Sequence, residues 1–106
     1  MSRIDYLPLG SVVLLKNGLQ KLLIIGRALN VSRNGKDYYF DYGGVLHPQG
    51  LINNEMAYFN HDDIDRVYFT GYNDEASREM TDLINDYVEK HPDVNRATIQ
   101  EWNESK

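Results

Sequence analysis

The chain of 106 residues predicts an α+β fold: a small, bent antiparallel sheet or SH3-like barrel of about five strands, with a long C-terminal helix. Three observations carry that prediction. The branched apolar run Leu22-Leu23-Ile24-Ile25 stands between two Asn-Gly pairs, Asn17-Gly18 and Asn34-Gly35. That dipeptide tolerates the positive φ angles of a tight hairpin turn. Lys36-Asp37-Tyr38-Tyr39-Phe40-Asp41-Tyr42 then alternates with the period of a strand, and from Asn73 the apolar period changes from two to 3.6. The length suits one domain over residues 1–106, enough to bury roughly two thirds of its unfolded surface.

In chain order, residues 1–9 form an irregular lead-in, where Pro8 biases Leu7 toward extended geometry. Ser11-Val12-Val13-Leu14-Leu15 is the first of the strands, which together occupy about residues 11–72. The second runs from about Gln20 to Val31, too long at ~3.3 Å per residue to stay straight in a small sheet. Gly26, near its middle, permits a bulge or sharp bend. In the third strand Tyr38, Phe40 and Tyr42 face the core, while Asp37, Tyr39 and Asp41 face water. Gly43-Gly44 bends or ends it, and His47-Pro48-Gln49-Gly50 reads as a β-turn. Met56-Ala57-Tyr58-Phe59 is a short edge strand, Asn60 caps a single helical turn, and Val67-Tyr68-Phe69-Thr70 is the last strand.

A helix over about 74–91 follows, with Asn73 as its N-cap and Pro92 as its stop. Its stripe of Ala76, Met80, Leu83, Ile84, Tyr87 and Val88 docks on the sheet, because a lone amphipathic helix is marginal in water. The rival reading offers that stripe to a partner helix. A short second helix covers about 95–102, with Ala97, Ile99 and Trp102 as its apolar residues.

Composition excludes several functions. A net charge of −5, with Arg66, Arg78 and Lys90 each beside an acid, argues against nucleic-acid binding, which needs clustered bases. The chain has no cysteine, hence no disulfide and no thiolate metal site, which suits a cytoplasmic protein. No apolar run reaches spanning length, so no membrane partner is expected. His47 with His61-Asp62-Asp63 matches no metal-ligand spacing, and a helix N-terminus explains the two aspartates. Ser11, Ser32, Ser77 and Ser105 sit in no nucleophile-elbow pattern, and no glycine-rich loop has phosphate-binding spacing. The expectation is a non-enzymatic protein with no cofactor and no metal.

Tyr38, Tyr39, Phe40, Tyr42, Tyr58, Phe59, Tyr68, Phe69 and Tyr72 are more rings than one small core encloses. Surplus tyrosine at low basicity favours protein recognition; alternatively the rings shield the strand faces and hydrogen-bond at their tips. Alternation puts Tyr39, Tyr68 and Tyr72 at the surface. With Tyr58 they are the candidate protein-binding residues. On that placement Tyr39→Ala costs little stability.

The stretches Tyr6-Leu7-Pro8-Leu9-Gly10-Ser11-Val12-Val13-Leu14-Leu15, Ile24-Ile25-Gly26-Arg27, Asp41-Tyr42, His47-Pro48-Gln49-Gly50 and Phe69-Thr70-Gly71-Tyr72 resemble a small family of Firmicutes proteins known only as a domain of unknown function. Genes of that family commonly lie near type VII (ESX-like) secretion systems and their LXG-type toxins. The resemblance runs from about Tyr6 to Val88, and Leu-Pro-Leu-Gly-Ser-Val-Val is its most specific part. It implies an accessory role: a cytoplasmic adaptor or targeting chaperone whose partner is a secreted toxin or its N-terminal secretion domain. It carries no catalytic residues. Trp102-Asn103-Glu104 lacks the Trp-x-Gly turn of an exported substrate, and Tyr58–Asp62 fits a Tyr-x-x-x-Asp tag without a long helix before it. The protein is therefore expected to stay inside. The alternatives are an immunity protein that neutralises a cognate toxin and a nucleic-acid-binding small barrel.

Overall fold

Asn34 and Gly35 take φ angles of 53° and 77° and close a two-residue hairpin with Arg33 opposite Lys36. The hairpin joins the two longest strands of the computed structural model, which describes residues 3–105. Its elements are β1 (Val12–Leu15), β2 (Leu22–Arg33), β3 (Lys36–Leu46), β4 (Ala57–Phe59), a 3₁₀ turn at His61–Asp63, β5 (Ile64–Phe69), α1 (Glu75–Lys90) and α2 (Ile99–Glu104). The five strands form one antiparallel sheet in the order β4-β3-β2-β1-β5. β5 returns to β1 as a barrel's last strand does, but β4 and β5 remain edges, so the bent sheet stays open. α1 is α-helical for sixteen residues, a helix of modest length, about 24 Å. No helix among the described residues is long and apolar enough to cross a membrane.

The first Asn-Gly pair does not make a tight hairpin. Asn17 has a φ of 63°, but the connection runs from Lys16 to Lys21, and β1 shares only two residue pairs with β2. The rest of β1 pairs with β5. β2 does bend at the predicted place: a register shift between Ile24 and Gly26 leaves Ile25 as an extra, bulged residue. A second distortion lies at Ala28, whose φ of 55° is a left-handed conformation that costs a non-glycine residue about 1–2 kcal/mol. Arg27 pairs with Tyr42 and Leu29 with Phe40, so Ala28 stands opposite Asp41.

That distortion changes what β3 does. Tyr42 belongs to the core cluster of Tyr6, Val13, Leu22, Ile24, Phe59 and Ile84, whereas Tyr38 and Phe40 pack in a second cluster with Ala97, Tyr58 and Trp102. Residues of one parity thus end in two different cores. Every residue from Tyr38 to Val45 is buried, which corrects the expected water-facing positions of Tyr39 and Asp41. Alternation predicts a solvated face only where a sheet is covered on one side.

The C-terminal segment provides the second cover. The predicted helix over 95–102 begins four residues later, at Ile99, because Thr98 is the cap: its side chain accepts from Glu101 N (3.1 Å). Asn95, Arg96 and Ala97 are instead extended along β3. Tyr39 N donates to Asn95 O (2.8 Å) and Ala97 N to Tyr39 O (3.0 Å), filling the edge that the short β4 leaves open. The Arg33 guanidinium lies 3.4 Å from the Trp102 ring centre and holds α2 over the second cluster. α1 is capped by Asp74 rather than Asn73, through Ser77 N (3.0 Å). Its buried Asn85 pairs with both backbone groups of Ile4 (2.9 and 2.8 Å), fastening the N-terminal lead-in to the helix.

A clasp joins the two ends of the β region. Ser11, fully buried, donates from Oγ to Pro8 O (2.8 Å) and accepts from Gly71 N (3.0 Å). Gly71 lies so close to the Leu9–Gly10 backbone that a Cβ there would collide with the Leu9 carbonyl and Gly10. Gly71→Ala is expected to destabilise by about 3 kcal/mol, the upper end of overpacking costs. Gly50→Ala, with a φ of +82° but nothing within contact, should cost about 1 kcal/mol. Urea unfolding of both variants checks the ranking, and equal midpoints would refute the close-approach account.

Candidate protein-binding surface

The clasp fixes the backbone of Pro8–Ser11 against Gly71 and turns the flanking side chains outward at one corner of the molecule. Leu9 is half exposed and Tyr72 is 81% exposed. β5 adds further exposed apolar side chains next to it, since Val67, Tyr68 and Phe69 are all exposed, Phe69 at 61%. The Lys21 ammonium lies 4.4 Å from the Tyr68 ring centre, so a cation borders this apolar corner. Among the described residues the outer edge of β5 has no strand partner, yet its ladder with β1 is irregular. Val13 pairs with Val67 and Val12 with Phe69, leaving Tyr68 as an extra residue; Asp65 is extra in the same way between Ile64 and Arg66. Two bulges in six residues blunt an edge against strand addition. What this corner offers a partner is therefore side chains: large, amphipathic and held on a rigid backbone.

The four sequence-predicted residues are not brought together. Tyr68 and Tyr72 are exposed and neighbour one another in the chain. Tyr58 is only half-buried on β4, stacked on Phe40 (5.6 Å) and edge-on to Trp102 (5.3 Å), inside the second cluster's rim. Tyr39 is 4% exposed and belongs to the core, so its expected surface position is wrong, as is the idea that truncating it is cheap. Leu9 and Phe69 were missed. Phe69 looked like a core ring in an apolar run, and only the bulge at Tyr68 turns it out.

One buried polar cluster has the appearance of chemistry. Asp41, 1% exposed, accepts from Tyr6 Oη (3.1 Å), His61 N (2.9 Å) and Arg96 Nη2 (2.9 and 3.0 Å). Next to it Leu7 N donates to the Tyr42 hydroxyl (2.9 Å), which also shares a hydrogen bond with His61 Nδ1 at 2.8 Å. The Asn60 side chain accepts from Asp41 N (3.0 Å) and donates to Ala97 O (2.6 Å), and its backbone N–H donates to Asp63 Oδ2 (2.8 Å). This explains His61-Asp62-Asp63 as a closing turn. Among the described residues no three His, Asp or Glu side chains converge as metal ligands. The Asp41 carboxylate is buried and occupied by donors on both oxygens. It joins four chain segments: the lead-in, β3, the 3₁₀ turn and the strip before α2.

The model of the family described as a domain of unknown function, DUF4176, matches residues 6–80. No curated protein and no solved structure matches significantly. The matched span contains Tyr6, Asp41, Tyr42, His61 and the whole exposed corner, while Arg96, α2 and most of α1 lie partly or wholly beyond it.

Two outcomes follow from the Asp41 cluster. Asp41→Asn removes one charge of a buried pair and leaves Arg96 uncompensated, so a loss of about 3–5 kcal/mol is expected in urea unfolding; a loss below about 1 kcal/mol would show the pair to be dispensable. Burial pushes the phenols of Tyr6 and Tyr42 well above their ordinary pKa of about 10, and Asp41's charge adds to the effect. The unfolded chain ionises these phenols from about pH 10 while the folded chain keeps them protonated. Their contribution is complete below pH 10 and lost as pH rises, by about 3 kcal/mol per pH unit for the two together. Unfolding midpoints at pH 9 and 11, with phenolate absorbance followed in parallel, check this.

Proposed function

The chain belongs to the DUF4176 family, and we propose that it is a non-enzymatic protein-binding accessory protein. In this reading it is a cytoplasmic adaptor or targeting chaperone for an LXG-type toxin of a type VII secretion system. The single observation that carries the binding role is the exposed corner of Leu9, Val67, Tyr68, Phe69 and Tyr72. Large apolar side chains on a clasped backbone are the composition of an interface anchor, where aromatic residues dominate the binding energy. The backbone there is already ordered, so a partner does not have to immobilise it. The placement in toxin secretion rests on the resemblance of Leu-Pro-Leu-Gly-Ser-Val-Val and Phe-Thr-Gly-Tyr to a family encoded beside such systems. The clasp accounts for the inner residues of both motifs, since Ser11 and Gly71 meet there.

A second reading is favoured by charge. The net charge of −5 suits an immunity protein that masks a basic toxin active site. Separated toxin domains distinguish the two: an adaptor retains the N-terminal secretion domain, and an immunity protein retains the C-terminal toxic domain. A nucleic-acid-binding barrel is the least supported reading, because phosphate contacts need a basic face.

Tyr72→Ala is expected to leave the urea midpoint unchanged, since the ring is mostly solvated, and to weaken binding of the N-terminal toxin domain by about thirtyfold, the loss typical of a hot-spot ring. Isothermal titration with the purified domain measures it. Unchanged affinity would remove this corner from the interface.

A further inference from the structure

α1 buries only part of its apolar stripe. Ile84 and Val88 pack into the first core cluster, whereas Met80, Leu83 and Tyr87 stay 43%, 64% and 51% exposed. These three line one wall of a groove of about 860 Å³; Ala28, Asn30, Lys36 and Tyr39 of the β2–β3 ribbon form the other wall. Met80 to Tyr87 is two helical turns, about 10.5 Å of apolar wall. The groove shares no residue with the corner formed by Leu9, Val67, Tyr68, Phe69 and Tyr72.

We propose that this groove is a second docking site, and that its occupant is an amphipathic helix of a partner protein with lysine or arginine beside its apolar stripe. The walls select a helix. α1 satisfies its own backbone, β2 and β3 are laddered to each other, and the outer edge of β3 at Tyr39 is filled by Asn95–Ala97. An extended segment would find no backbone partners there, whereas a helix brings its own hydrogen bonds and needs only side-chain packing. Charge selects the flank. Glu79 lies one turn before Leu83, and Glu75 one turn before Glu79; neither has an ion-pair partner among the described residues. Across the groove Asp37 and Asp93 outnumber Lys36. Met80, unbranched and polarizable, adapts to a helix of varied sequence.

The test uses the full chain and a synthetic, fluorescently labelled helix of about 18 residues, with leucines at i, i+3, i+4 and i+7 and flanking lysines. Two controls accompany it: the same composition scrambled off one face, and glutamate in place of lysine. Anisotropy is expected to show saturable binding of the lysine peptide, at least about tenfold tighter than either control. Leu83→Gln, at an exposed position, should keep the urea midpoint and lower that affinity about tenfold or more; Glu79→Lys should weaken the lysine peptide and strengthen the glutamate one. Tyr72→Ala should leave the peptide affinity unchanged, so failure here is separable from failure of the toxin-binding reading. Equal binding of all three peptides, or an affinity indifferent to Leu83→Gln, would overturn the proposal. So would a dimer in sedimentation that Leu83→Gln abolishes, which would assign the groove to a second copy.

Discussion

A buried carboxylate organises this molecule. Asp41 sits at the centre of β3 with the Tyr6 hydroxyl, the His61 backbone N–H and the Arg96 guanidinium all donating to it. An unpaired charge at that depth would be prohibitive, so each donor has to arrive for the fold to close. The donors come from positions 6, 61 and 96, and the Asp41 backbone N–H is held by Asn60. Lead-in, 3₁₀ turn and C-terminal strip are thereby tied to the sheet by one side chain. The strained Ala28 opposite Asp41 lies where β3 changes the core that its even-numbered rings enter. A local backbone cost of this kind persists only when the surroundings over-determine it, and the Asp41 cluster is such a surrounding.

The consequence for function is geographic. Because the middle of β3 is buried, the exposed apolar side chains collect on β5, beside the clasp and along α1. On one side of the sheet β3 is covered by the short β4 and by Asn95–Ala97. The other, β5, is left open but bulged, which discourages edge-to-edge pairing while keeping Val67, Tyr68 and Phe69 outside. The α1 groove is the second such place, and its acidic bank separates it chemically from the corner near Lys21 and Tyr68. Two apolar surfaces of different character on one small protein suit an adaptor, which has to hold two things at once.

Sequence reasoning succeeded where local chemistry decides. Asn34-Gly35 marks a tight hairpin because the dipeptide accepts two positive φ angles between two long strand runs, a context that Asn17-Gly18 lacks. Gly26 marked the bend in β2, and the 3.6 period with Pro92 beyond it marked α1 to within a residue or two. Tyr68 and Tyr72 were legible as surface rings. It failed where a distant segment supplies the cover. Tyr39 was assigned to water by parity, but Asn95–Ala97, more than fifty residues later in the chain, pairs with its backbone and closes the strand.

The sequence by itself determined the elements, their order and their turns, since propensity, period and turn chemistry act over a few residues. Only the tertiary structure decided that the sheet stays open, that Asp41 is an internal tie rather than a solvated charge, and that Phe69 faces out while Tyr39 faces in. Those outcomes depend on bulges in partner strands and on which remote segment covers which face. Contacts between segments far apart in the chain set both, and no local period encodes them.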